Sequence, residues 1–198
     1  MKGKTIFITG ATSGIGEGCA RKFAAMGSNL ILNGRNTEKL ESLKKELTAQ
    51  GVEVLTLPFD VRDRKAMQQA VDSPQGQWKH VDVLINNAGL VIGMDKEHEG
   101  SLDEWDIVID TNIKALLAMT RLIVPGMVER GCGHVINIGS IAGDAAYAGG
   151  SVYCATKAAV KALSDGLRID LVDTPVRVTN IKPGMVETNF SVIRFRGD

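Results

Sequence analysis

Cysteine is scarce in this chain. Its 198 residues hold three, Cys19, Cys132 and Cys154, scattered and odd in number. They form neither a disulfide framework nor a zinc-ligand spacing, which favours a reducing, cytoplasmic location. His80, His98 and His134 share no metal-ligand spacing either, so no metal is expected. Net charge is absent: 23 Lys and Arg balance 23 Asp and Glu. No global field therefore favours nucleic acid or an anionic membrane, and no basic patch interleaves with aromatics. No apolar run approaches the roughly 20 residues that cross a bilayer. The amino terminus, Met1-Lys2-Gly3-Lys4, runs directly into a strand-like segment. It lacks the apolar stretch and cleavage site of a signal peptide. No repeat, low-complexity tract or linker divides the sequence. A single domain over residues 1–198 is expected, large enough for a substantial core.

What is present is alternation. Short β-branched runs at 5–9, 29–32, 52–57, 81–85, 134–138 and 176–181 read as strands. They are continuous apolar runs, as expected when helices cover both faces of a sheet. Helices are expected over 14–26, 37–50, 63–73, 102–112 continuing to 129, and 151–172. Gly27, Gly51 and Gly131 follow helix ends, where a left-handed residue is needed. The order predicts an α/β fold with a doubly wound parallel sheet.

A glycine turn joins the first strand to the first helix: Thr9-Gly10-Ala11-Thr12-Ser13-Gly14-Ile15-Gly16. Without side chains, its backbone N–H groups can approach phosphate at the positive helix terminus. The spacing is G-x-x-x-G-x-G rather than G-x-G-x-x-G, and glycines so placed also serve helix–strand packing alone. After strand two comes Asn33-Gly34-Arg35-Asn36, with no acid to accept from a ribose hydroxyl. Arg35 suits bidentate pairing with a 2′-phosphate. This favours NADP(H) over NAD(H), although an Arg near a helix start also reads as simply solvated. Ser13 adds no second positive charge. Asp60-Val61 follows strand three and suits an adenine edge, or alternatively a helix N-cap region.

The chemistry-bearing residues lie further on. Asn86-Asn87-Ala88-Gly89 follows strand four; its amides can tie loops together, and its small residues leave room for a flat cofactor. Tyr153 stands four residues before Lys157, so both side chains share one helix face. A free phenol titrates near 10, and a neighbouring ammonium together with a positive oxidised nicotinamide favours the phenolate. Tyr153 is thus a candidate acid and base. Ser140, ending strand five, can stabilise charge growing on a carbonyl oxygen. Taken singly, Tyr153 and Lys157 read as a packed helix face, Ser140 as a turn residue and Asn112 as a capping residue. Their joint order behind a nucleotide turn favours the catalytic reading.

Over nearly its whole length the chain resembles the short-chain dehydrogenase/reductase family. The resemblance rests on Thr9-Gly10-x-x-x-Gly14-x-Gly16, Asp60-Val61, Asn86-Asn87-Ala88-Gly89, Asn112, Ser140, Tyr153-x-x-x-Lys157 and Pro183-Gly184. It implies a three-layered Rossmann-type sheet in the order 3-2-1-4-5-6-7, and catalysis by Asn112, Ser140, Tyr153 and Lys157. Tyr153 would be the acid/base, and Lys157 would also bind the nicotinamide ribose. Asn112 would hold a water linking Lys157 to solvent. Ile181, Pro183, Gly184 and Thr188 would contact the nicotinamide half. Gly10, Gly14, Gly16, Asn87 and Gly89 would line the cofactor, with backbone contacts from Ser13, Ile15, Val61 and Ala88. The family continues past the last residue here with a seventh strand and part of a substrate lid, so this chain is expected to lack that strand and to leave the sixth at an edge.

Asp110-Thr111-Asn112, Pro125-Gly126-Met127-Val128-Glu129-Arg130, Tyr147-Ala148-Gly149-Gly150 and Arg194-Phe195-x-Gly197-Asp198 are similar to the branch of NADP-dependent 3-hydroxy acid (serine) dehydrogenases. That similarity implies a small polar hydroxy acid or semialdehyde substrate. Arg194 could bind its carboxylate, since a guanidinium matches two oxygens; it also reads as a surface Arg or one paired with Asp198. Two other readings stand beside this one. Small Ala145 and Ala146 would allow a bulkier ketone or steroid-like carbonyl, and the nucleotide site alone would suit a non-catalytic NADP(H) sensor. The helix near 113–129 is apolar nearly all round, and Ala155, Ala158, Ala159 and Ala162 permit close approach of another helix. The resemblance implies a homo-oligomer, a dimer or tetramer, through these two helices.

Overall fold

The structure, a computed structural model, describes residues 1–186 together with Thr188, Phe190 and Arg194. Six strands alternate with helices: β1 (Thr5–Ile8), α1 (Gly14–Ala25), β2 (Asn29–Gly34), α2 (Thr37–Thr48), β3 (Val54–Pro58), α3 (Arg64–Asp72), β4 (Val83–Asn86), α4 (Leu102–Ile109), α5 (Ala115–Glu129), β5 (His134–Ile138), α6 (Ser151–Asp170) and β6 (Arg177–Ile181). Among the described residues the sheet runs β3-β2-β1-β4-β5-β6, every pairing parallel. This is the Rossmann-type α/β architecture. The strand order reverses between β1 and β4, and a crevice at the carboxyl ends of strands follows from that reversal.

Strand periodicity divides the core into two layers. In β1, Ile6 and Ile8 face one way and Phe7 the other. The first pair packs with Ala20 and Ala24 of α1 and Leu40, Leu43 and Leu47 of α2. Phe7 packs with Met67 of α3 and Met119, Ile123 and Met127 of α5. Both faces of the sheet are thus covered, which explains why the strands read as unbroken apolar runs. Each fully buried side chain of this size contributes about 1.5–3 kcal/mol.

Local chemistry sets the helix boundaries. Asn36 caps α2 by accepting from Lys39 N at 2.9 Å, and Asp63 caps α3 by accepting from Lys65 N and Ala66 N. The cap of α3 is therefore Asp63, and Asp60 lies outside that helix. Gly27, Gly51 and Gly131 close α1, α2 and α5 with φ of 76°, 84° and 65°. β2 runs two residues past its expected end because Asn33 and Gly34 pair with Leu57 and Pro58 of β3.

The largest departure concerns the helix expected from 102 to 129. It divides into α4 and α5 around a wide π turn at Asp110–Lys114. Thr111 and Asn112 are buried in that turn, and the Asn112 amide is held by Leu90 and Thr156. Partners remote in sequence thus impose the extra residue; such turns concentrate at functional positions. Among the described residues, no helix is long and apolar enough to cross a membrane.

Candidate active site

The glycine turn leaves β1 at its carboxyl end. Gly10 and Gly14 sit at φ 65° and 54°, a region L side chains rarely adopt. A side chain on Gly16 would overlap the Gly10 carbonyl and the Asn87 amide. The turn is tied across β4: Asn87 Nδ2 donates to Thr9 O at 2.9 Å and Gly10 O at 3.0 Å, while Thr9 Oγ1 accepts from Asn87 N and Ala88 N, each at 3.0 Å. Ser13 stands before α1 without a side-chain cap bond, so its hydroxyl does not compete for the first-turn N–H groups. Ile15 packs onto the core beneath. Thr188 reaches back to the same turn, close beside Gly14. A cleft of about 630 Å³ opens here, lined by Ser13, Gly14, Lys39 and Thr188 among others. It flanks the phosphate side of the turn and does not reach Tyr153.

At the end of β2, Asn33 is buried. Its Nδ2 donates to Leu57 O at 3.1 Å and Phe59 O at 3.0 Å, and its Oδ1 accepts from Gly10 N at 3.4 Å. Asn33 therefore fixes the glycine turn against β3. The Arg35 side chain is 64% exposed, with Nη1 4.0 Å from Asp60 Oδ2. Asp60 is engaged more closely by Arg62: Oδ1 accepts from Arg62 N at 3.0 Å, and Oδ2 accepts from Nη2 at 2.7 Å. Those bonds hold its carboxyl below the usual carboxylate range. Arg35 thus keeps an outward cation at the strand end. Val61 turns into the core.

The second cluster lies at the carboxyl ends of β4 and β5. Ser140 follows β5, and its Oγ accepts from Ala142 N at 3.1 Å, starting the 3-10 turn Ile141–Gly143. Tyr153 and Lys157 are buried on the first turns of α6. Lys157 Nζ donates to Ile138 O at 2.9 Å and lies 5.8 Å from the centroid of the Tyr153 ring. Burial lowers the Lys157 ammonium from 10.5 to about 8.

The expected lowering of the Tyr153 phenol counts two cations, and the chain supplies one of them, Lys157. Burial pushes the phenol up, and the Ser140 hydroxyl works against that rise. The reason is geometric: the Lys157 cation sits over the ring and bonds to a carbonyl. Further positive charge is needed at the site to favour the phenolate.

Asn112 closes this cluster from behind. Its Nδ2 donates to Leu90 O at 2.8 Å and to Thr156 Oγ1 at 3.0 Å, and its Oδ1 accepts from Leu90 N at 2.9 Å. The side chain therefore joins the loop after β4 to α6, and both its N–H groups are committed to protein. Gly89 fits between the two, since a Cβ there would lie 3.3 Å from Asn112 Oδ1 and 3.5 Å from Lys157 Nζ.

Beyond β6 the chain returns over the site. Gly139 N donates to Ile181 O at 2.7 Å and Ile141 N to Pro183 O at 3.1 Å, which sets Pro183 and the exposed Gly184 beside the Ser140 segment. Phe190 stacks at a tilt on Tyr153, ring centroids 5.7 Å apart. Arg194 lies with its guanidinium carbon 5.0 Å from the Tyr147 ring centroid. Phe195, Gly197 and Asp198 are outside the described residues. Among the described residues, no three His, Cys, Asp or Glu side chains cluster to hold a metal.

Two clusters thus stand at the carboxyl ends of the strands: a phosphate-suited turn after β1, and a phenol with a buried cation and a hydroxyl after β5. A family profile described as short chain dehydrogenase matches residues 4–196. The chain belongs to the short-chain dehydrogenase family. Its relatives include the NADP-dependent 3-hydroxy acid dehydrogenase YdfG of Salmonella typhi, 52% identical over 194 residues, with 98% of this chain and 77% of the relative covered. The NADP-dependent 3-hydroxy acid dehydrogenase of Schizosaccharomyces pombe is 43% identical over 200 residues, covering 100% of this chain and 77% of its own length. Among solved structures, the closed form of a serine dehydrogenase complexed with NADP+ superposes with a TM-score of 0.93 at 49% identity, covering 98% of this chain and 77% of that one.

Within this short-chain dehydrogenase, the sequence did not disclose how Asn33, Arg62, Thr156 and Phe190 serve the site. Only the buried Asn at a strand end carried a signal, because an amide there requires partners. The others act through contacts made by folding.

Proposed function

We propose that this short-chain dehydrogenase oxidises small 3-hydroxy acids, or reduces the matching semialdehydes, with NADP(H). The observation that carries the reading is the buried Tyr153–Lys157 pair beside Ser140, on the same carboxyl-end side of the sheet as the glycine turn. Support for the substrate class comes from the relatives named for that activity.

The chain's own groups fit the cofactor. Left-handed Gly10 and Gly14, side-chain-free Gly16 and the non-capping Ser13 leave N–H groups and space for a pyrophosphate. Ile15, Ala88, Val61 and Asp60 border the nucleotide, and Arg35 takes its 2′-phosphate. Asn87, Gly89, Ile181, Pro183, Gly184 and Thr188 surround the nicotinamide half. When bound, NADP supplies the hydride acceptor in oxidation and the hydride donor in reduction.

Tyr153 holds the substrate oxygen and carries its proton. During oxidation the phenolate takes the hydroxyl proton; during reduction the phenol returns a proton to the oxygen. Ser140 donates to that same oxygen and stabilises its negative charge. Lys157, held by Ile138 O, supplies positive charge beside the phenol and a donor for the ribose. Asn112 positions Tyr153 and Lys157: it fixes Thr156, whose Oγ1 donates to Tyr153 O at 2.8 Å. Arg194 receives the substrate carboxylate.

We further infer a cytoplasmic homo-oligomer, a dimer or tetramer, formed through α5 and α6. Leu117, Ala155, Ala158 and Ala162 lie exposed on those helices and support close helix–helix approach. A monomeric mass in light scattering would exclude it. The catalytic reading is tested by following reduced-nicotinamide absorbance with serine and 3-hydroxypropanoate, each with NADP and NAD, and with a bulky ketone and NADPH or NADH. Turnover of the hydroxy acids with NADP is expected; turnover confined to the ketone, or to NAD, overturns the assignment.

A further inference from the structure

Tyr147 lies between the Ile141–Gly143 turn and α6. Its hydroxyl oxygen is enclosed and has no hydrogen-bond partner among the described residues. An enclosed polar atom left unpaired costs about 1–3 kcal/mol and is uncommon in folded proteins. Proton transfer through Tyr153 makes no use of this oxygen.

The surroundings hold the ring tightly. A side chain on Gly150 would overlap the Tyr147 ring, and Gly150 N donates to Tyr147 O at 3.0 Å. Gly149, at φ 71°, leaves no room for a Cβ against the Met94 carbonyl. Arg194 covers the ring at 5.0 Å, with Nη2 2.7 Å from Met94 Sδ. The Arg194 backbone is also fixed, its carbonyl accepting from Gly93 N at 2.9 Å. The enclosed hydroxyl and the guanidinium over the ring therefore bring one neutral donor and one cation together.

Burial raises the Tyr147 phenol, the Arg194 charge opposing that rise, so near neutral pH it remains an O–H donor. The Tyr147 ring packs on Gly150, which precedes the helix that carries Tyr153 three residues on, and the charges of Tyr147 and Arg194 both bear on Tyr153. Their tasks differ. Tyr153 has Ser140 and Lys157 beside it for moving a proton, whereas Tyr147 has an unpaired hydroxyl and a cation suited to an anion.

We propose that Tyr147 is a specificity-determining residue whose hydroxyl donates to the substrate carboxylate alongside Arg194. This rests on the 3-hydroxy acid reading. A carboxylate has two oxygens and more acceptor sites than one guanidinium fills. A neutral phenol adds a donor there without adding charge, and the carboxylate satisfies an oxygen that otherwise stays unpaired.

The test is Tyr147→Phe, assayed with 3-hydroxypropanoate and NADP. A hydrogen bond to a charged group corresponds to about a 10- to 100-fold change. KM for 3-hydroxypropanoate should rise by that factor, with kcat within about threefold. NADPH affinity, read from its fluorescence, should be unchanged. Thermal stability should not fall, because the removed hydroxyl has no protein partner. An unchanged KM overturns the proposal, as does a parallel loss of kcat, NADPH affinity and stability. If the unaltered enzyme fails to oxidise 3-hydroxypropanoate with NADP, the substrate reading itself has failed and takes this proposal with it.

Discussion

Replacing Lys157 with Met should make the protein more stable near neutral pH while abolishing its activity. Lys157 is 6% exposed, and burial lowers its ammonium from 10.5 to about 8. That lowering corresponds to a penalty of about 3 kcal/mol on the protonated folded chain. Below pH 8 both folded and unfolded chains carry the proton, and the penalty is present in full. Between about 8 and 10.5 the unfolded chain binds more protons, so the Lys157 contribution makes stability rise with pH. Above that window the penalty is gone. Methionine fills similar space but cannot donate to Ile138 O, and that loss costs about 1 kcal/mol. The variant should therefore gain about 2 kcal/mol near pH 7 and lose about 1 kcal/mol above the window. Urea unfolding followed by circular dichroism at pH 7 and pH 9.5 measures this directly. The unaltered protein should gain about 2 kcal/mol more than the variant over that interval. Identical pH dependence in the two proteins, or a less stable variant at pH 7, would refute the claim that a buried ammonium is held at the site at a cost in stability.

Other substitutions probe the remaining parts. Arg35→Ala should weaken NADPH by about tenfold or more and leave NADH within about twofold, in calorimetric titrations; equal effects would remove Arg35 from the 2′-phosphate site. Asn112→Ala strips partners from Leu90 and Thr156 and should cost about 2–3 kcal/mol. A drop of several degrees in Tm, with lowered turnover, is the expected result; an unshifted Tm would contradict the bracing role. Gly16→Ala should destabilise by about 1–3 kcal/mol and weaken NADPH, since its Cβ meets the Gly10 carbonyl. Gly18→Ala, whose Cβ meets nothing within 4 Å, is the control, expected to be neutral or stabilising by up to about 1 kcal/mol in denaturant midpoint measurements.

The central strands were legible because they are buried on both faces, leaving unbroken runs such as Thr5-Ile6-Phe7-Ile8. Helix ends were legible where a left-handed glycine closes them, as at Gly27 and Gly51. The π turn around Asn112 was not, because it depends on Leu90 and Thr156, which are 22 and 44 residues away. The same reasoning applies to charge. Arg35 and Asp60 stand out in the sequence, yet only folding reveals that Arg62 engages both carboxylate oxygens. The Tyr-x-x-x-Lys spacing correctly put both side chains on one helix face. It could not give the height of the cation over the ring, and hence it missed that burial dominates the Tyr153 titration in the chain by itself.

The central claim is that Tyr153 carries the substrate's proton, with Lys157 beside it and the nucleotide held elsewhere. Single-turnover oxidation of 3-hydroxypropanoate by Tyr153→Phe, paired with NADPH binding, addresses it most directly. Turnover should fall by about a thousandfold or more, with NADPH affinity within about threefold of the unaltered protein. Turnover retained within about tenfold would contradict the account, because another group would then be moving the proton.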